Sequence, residues 1–188
     1  MNDSDWFEVT EGTDLLQGDI LPNCPLFVPD GELTWPLPEH SRLGLRADLV
    51  DLIILTQSCD LANNKVAEVL LARVVAWPDV VRDEVRRGNE AIKSSRFRKQ
   101  LVEGSVPALS LLHKRASEPR LDWSVVAFQR LSTLPKIFLG EFAATLGPRL
   151  RLRSPYREHL AQAFARYFMR VGLPHDARAF EKEGDVKL

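Results

Sequence analysis

Cysteine is nearly absent from this chain, and so is any long apolar run. Only Cys24 and Cys59 occur, too few for a disulfide framework, which points to a reducing compartment. The apolar stretch Leu52-Ile53-Ile54-Leu55 is matched in length elsewhere but nowhere exceeded. It is strand length, far short of the roughly 20 residues that cross a bilayer. Met1-Asn2-Asp3-Ser4-Asp5 is acidic and lacks a basic n-region, so no signal peptide is read. A cytoplasmic protein with no membrane contact is expected. No CxxC or HxxxH spacing joins Cys24, Cys59, His40, His113, His159 and His175. No metal site is therefore expected, and no cofactor. Internal repeats and low-complexity tracts are missing too.

What is present suits one globular domain. The 188 residues are 45% hydrophobic and 27% charged, enough for a sizeable core. We read a single α+β domain over residues 1–174 and a polar tail over 175–188. The net charge of −1 conceals an asymmetry. Residues 1–51 hold eleven acids and two bases, a charge of −9, which leaves +8 for the rest. Such a division suits either a polyanion- or partner-docking face, or two solvated surfaces that attract each other within the fold.

Periodicity and breakers give the elements. Residues 1–15 read as a loose lead-in, and Gln17-Gly18-Asp19-Ile20-Leu21 as a turn feeding a first strand. Pro22, Pro25, Pro29, Pro36 and Pro38 favour extended and edge-strand pieces over helix. Asp30-Gly31 marks a turn. Leu49–Gln57 is the clearest strand, buried on both faces. Val66–Trp77 reads as a strand ended by Pro78. Residues 79–103 read as one or two helices broken at Gly88-Asn89 and closed by Gly104. Val106–His113 and Leu121–Phe128 are further strands, and Leu134–Phe142 is ambiguous. Arg149-Leu150-Arg151-Leu152-Arg153 alternates as a half-buried strand does. The last element is an amphipathic helix with Ser154 as N-cap, Pro155 at its first turn, and Gly172 and Pro174 beyond its end. Its apolar face carries Tyr156, Leu160, Ala163, Phe164, Tyr167, Phe168 and Val171. Glu158, His159, Gln162, Arg166 and Arg170 lie opposite, and Arg157, on the apolar side, needs an acceptor.

Two places could carry chemistry. Ser58, Cys59 and Asp60 follow the buried strand, where sites often form. Cys59 could be a nucleophile with His40 or His113 as base. Alternatively it is a small buried residue, with Ser58 and Asp60 capping a turn or helix. The second place is a basic surface. Residues 82–115 hold nine bases against four acids, and residues 149–170 six arginines against one glutamate. Arg96, Arg98, Lys99, Arg149, Arg151 and Arg153 are its candidate contacts for phosphates or an acidic partner. Ion pairing with the acidic N-terminal part is the alternative.

Gln17-Gly18-Asp19-Ile20, the proline-rich stretch and the strand Leu52–Leu55 ending in Thr56-Gln57-Ser58 resemble the start of PemK/MazF-like proteins. The resemblance spans residues 17–77. It implies an SH3-like barrel, and many such proteins are ribonuclease toxins of toxin–antitoxin pairs. The family's Arg-Pro pair before the second strand is replaced by Ala47-Asp48, so no catalytic residue is carried over. The stretch from Ser154 to Pro174 is similar to the C-terminus of uncharacterised bacterial proteins, which implies no activity. The fold expected is an SH3-like small β-barrel or curved antiparallel sheet, with a helical insertion and the C-terminal helix. The function expected is a binding module for RNA or an acidic protein partner, in a bacterial toxin–antitoxin or defence setting, with a homodimer allowed for. A hydrolase, MazF-like or dependent on Cys59, stands as the alternative.

Overall fold

The computed structural model describes residues 6–31, 35–36 and 44–169. The run Leu52–Leu55 behaves as its composition requires. Ile53 and Leu55 enter one buried cluster, while Leu52 and Ile54 enter another on the opposite face. It ends β3 (Leu45–Ile54), which sits inside a five-stranded antiparallel sheet. The sheet contains β2 (Ile20–Pro29), β3, β4 (Glu68–Ala76), β6 (Ser124–Pro135) and β5 (Leu109–Leu112), in that spatial order. β1 (Phe7–Thr10) pairs antiparallel with β7 (Arg149–Leu152) as a separate ribbon. The sheets do not close into a barrel: the five-stranded one ends at β2 on one side and β5 on the other. The α+β class and the antiparallel sheet stand; barrel closure is not what these strands do.

The helices cover both faces. α5 (Tyr156–Phe168) lays Leu160 on the first cluster, with Phe7, Phe128, Leu150 and Leu152. α4 (Lys136–Leu146) buries Leu139 and Ala143 on the second, beside Leu61 of α1 (Ser58–Ala62). Between β4 and β5 lie α2 (Trp77–Arg86), a 3-10 turn (Glu90–Lys93) and α3 (Ser95–Val102). The break at Gly88 has φ +86°, which favours glycine. Pro78 opens α2, where its missing N–H costs nothing.

Four readings shift. The lead-in contains β1, held by β7. Leu134 and Pro135 finish β6, and the rest of the ambiguous stretch is α4. α5 begins one residue later than its N-cap signal, with Pro155 as the cap residue. Its facing is as read, except that Phe168 is largely exposed. Arg157 finds its acceptor in Glu158, at 3.0 Å. Arg170, Val171, Gly172, Pro174 and the tail 175–188 lie outside the described residues, as do Pro38, His40 and His175.

β2 shows how a proline-rich segment becomes a strand. Asp30 N–H bonds Gly44 carbonyl at 2.8 Å, so Leu26 and Val28 turn their backbone groups toward β3. By the two-residue alternation, Pro25, Phe27 and Pro29 turn theirs outward. The prolines thus stand where no ladder N–H is needed. Beyond Leu52 the β2–β3 hairpin leaves the sheet, because β4 pairs only with Leu52–Ile54. One face of that arm is wholly apolar, with Pro25, Phe27 and Pro29 opposite Leu49, Ala47 and Leu45.

Candidate functional site

The two stretches that stood out in the sequence, Gln17-Gly18-Asp19 and Thr56 to Asp60, meet in space. Gly18, with φ +87°, lets the chain reverse against β7; a Cβ there would lie 2.9 Å from the Leu152 Cβ. Gly18 N–H donates to Ile54 carbonyl at 2.9 Å, and Leu152 N–H to Gly18 carbonyl at 3.0 Å. Gln17 N–H donates to Ser58 Oγ at 3.2 Å, and Gln17 Nε2 to Leu55 carbonyl at 2.8 Å. Ser58 therefore ties a turn, and Thr56 Oγ1 accepts from Leu70 N–H at 2.7 Å.

Asp19 is fully buried at this junction, between Arg149 and Arg151. Its carboxylate accepts from Arg149 Nη2 at 3.1 Å, from Arg151 Nη2 at 2.9 Å and from Arg151 Nε. Arg149 also donates to the carbonyls of Gly12 and Asp14, at 2.9 and 2.6 Å. Arg151 donates to Asp14 carbonyl at 3.0 Å, and its Nη1 lies 3.9 Å from Glu8. Burial alone would weaken the hold of Arg151 on its proton. The hydrogen bond and charge of Asp19, with Glu8 and Asp14, outweigh that and raise its pKa above the ordinary value. The arginines on β7 are thus an internal clamp, which corrects the exposed face read from their alternation. Both faces of β7 are covered, and only Arg153, just past it, is exposed.

Cys59 is exposed rather than a buried packing residue. Its thiol contacts Gln57 Oε1 at 3.6 Å and Asp60 Oδ1 at 3.7 Å. Asp60 has Lys65 at 3.9 Å. No described histidine stands beside the thiol: His113 sits between Trp6 and Trp123, and His159 against Tyr156. Ser58, Cys59 and Asp60 are contiguous, and the group beside the thiol is the Asp60 carboxylate, with no described histidine joining them. Cys24 is the buried cysteine, its thiol pushed up to about 11 by desolvation. Among the described residues no three His, Cys, Asp or Glu side chains group as metal ligands.

On α3 the bases are accessible. Ser94 caps the helix by accepting from Phe97 N–H at 3.1 Å. Arg96, Arg98 and Lys99 are exposed. Lys99 lies 3.8 Å from Glu103, and Arg98 donates to Lys93 carbonyl at 2.8 Å. Most bases nearby face carboxylates three residues away, as in Arg82–Asp79, Arg87–Glu84 and Lys93–Glu90.

The C-terminal turn of α3 rims a groove of about 530 Å³. One wall is β5, the other α5, with Trp6 and Tyr156 stacked between them at 4.2 Å. Reading the sequence alone missed this groove. His159, Gln162 and Arg166 were visible as the polar side of a helix, but nothing local showed that a strand edge faces them.

No protein-family model matches the chain, and no curated protein or solved structure does either.

Proposed function

We propose that this chain is a binding module whose ligand is an acidic protein partner, docked on the flank formed by α3, β5 and α5. One observation carries this reading. The groove between β5 and α5 is bordered by the same helix, α3, that exposes Arg96, Arg98 and Lys99. A partly apolar groove with Arg166 in its lining, and Arg96 and Arg98 exposed on the bordering helix, suits a protein segment that buries side chains and presents carboxylates. Polyphosphate fits less well. Arg149 and Arg151 are inside, and the bases of α2 and the 3-10 turn are paired within their own helices.

Site-specific photo-cross-linking tests the reading. A cross-linker at Lys99 of the full chain, expressed in its own cells, should capture an acidic protein; the same cross-linker at Lys65 should not. A single-stranded RNA gel-shift at about 50 mM salt, where even non-specific binders register at micromolar protein, should stay empty. RNA adducts at Lys99, or a salt-sensitive shift that Arg98→Glu abolishes, would replace the protein partner with RNA. Cleavage of that RNA would instead reinstate the hydrolase.

A further inference from the structure

β5 ends the five-stranded sheet, with no described strand beyond it. Phe128 N–H bonds Ala108 carbonyl at 3.0 Å. With the register Ser110↔Val126 and Leu112↔Ser124, residues 110 and 112 turn their backbone groups toward β6. Leu111 must then point both its N–H and its carbonyl away. No described strand lies on that side. The groove lies there: all four residues of Leu109–Leu112 line it. A cavity under a strand face would take alternate residues; one that takes four in a row runs along the edge.

The opposite wall has helical spacing, with Tyr156, His159, Ala163 and Arg166 of α5. Tyr156 to Arg166 rises about 15 Å at 1.5 Å per residue, and Leu109 to Leu112 about 10 Å at 3.3 Å per residue, so the helix wall overhangs the whole strand. The charged side chains that line the groove are Arg166 and Glu103, and Glu103 has Lys99 at 3.8 Å, which leaves Arg166 to face a ligand; Gln162 and His159 can also donate. Trp6 lines it too, and its buried Nε1 has no acceptor, an omission that folded chains seldom leave uncorrected.

We infer that the groove accepts an extended acidic peptide segment of the partner, which adds to β5 as a sixth antiparallel or parallel strand beneath α5. The inference rests on the proposed protein-binding role and specifies its mode. Main-chain bonds to Leu111 would hold the strand, alternate side chains would enter between Trp6 and α5, and carboxylates would meet Arg166.

The test uses the full chain and a random-sequence peptide library displayed on phage, followed by titration with the most enriched peptide. Enriched peptides should be acidic. N-methylation along the peptide should weaken binding at every second residue, because an added strand bonds its neighbour with that period. Leu111→Pro should weaken binding about tenfold or more, since it removes an outward N–H, whereas Leu111→Ala should change it by only a few-fold. Pro25 and Pro29 occupy the same kind of position on β2, and an unchanged unfolding transition checks that Leu111→Pro is folded. Arg166→Glu should also weaken binding about tenfold. Acidic peptides that respond to Arg166→Glu but show no alternation under N-methylation would overturn strand addition and leave the docking flank intact. An enriched pool that is not acidic, or no enrichment at all, would overturn both.

Discussion

Asp19 has two guanidiniums against its carboxylate and is shut off from bulk solvent. Asp19→Ala would leave Arg149 and Arg151 buried around an empty site, and breaking a buried pair from one side costs about 3–5 kcal/mol. Chemical denaturation should show a loss of that size, against little for Asp48→Ala, whose pairing with Arg46 is exposed. A loss within about 0.5 kcal/mol for Asp19→Ala would mean the clamp is not built as described. The two cysteines should separate just as clearly. Native protein should take up one iodoacetamide, at Cys59, and a second only after unfolding, with Cys59→Ser leaving stability almost unchanged. Cys24 adds a pH dependence. Its thiol stays protonated to about 11 in the folded chain against 9.0 when unfolded. Its contribution is therefore complete below pH 9.0 and is lost as pH rises through about 11, on the order of 2–3 kcal/mol. Cys24→Ala should flatten that part of the stability–pH curve; an unchanged slope would count against the burial.

At the scale of elements, α5 offers the sharpest contrast. Leu160 is buried with Leu150 and Leu152, and Phe164 meets Phe128 in a tilted ring contact with centres 5.5 Å apart. Leu160→Ala should cost about 2–5 kcal/mol, while His159→Ala, on the exposed side, should cost little. Equal losses would mean the helix faces the other way. This facing was legible because amphipathic spacing is local. So was β3, where four apolar residues divide between two cores, and so were the prolines of β2, which announced an edge. The role of β7 was not. Alternation placed its arginines on one side, but what that side meets is Asp19, 130 residues away in sequence from Arg149. β1 was invisible for the same reason: four residues, Phe-Glu-Val-Thr, become a strand only because β7 is there to pair with. The groove beside β5 depends on three segments meeting, and no one of them carries its signature.

At the scale of the whole molecule, stability should be graded along β3. Leu52–Ile54 has partners on both sides and is buried, whereas Leu45–Asp51 has β2 alone, with Leu45 and Leu49 about two-thirds exposed at 67% and 66%. A two-stranded ribbon is marginal without further support. Hydrogen exchange should therefore open residues 45–51 well before residues 52–54, and uniform protection would show that the arm is braced elsewhere. The two borders of the five-stranded sheet differ in another consequential way. On β2 the outward positions include Pro25 and Pro29, which cannot donate; on β5 the outward position is Leu111, which can. A fibre grows by repeating one head-to-tail join, and each added unit must offer both halves of it. This sheet offers one border free to pair over Leu111 and one interrupted by prolines on either side of Phe27, which opposes stacking through both borders. Whatever settles on β5 should give a complex of fixed stoichiometry, whose mass by light scattering stays constant as concentration rises.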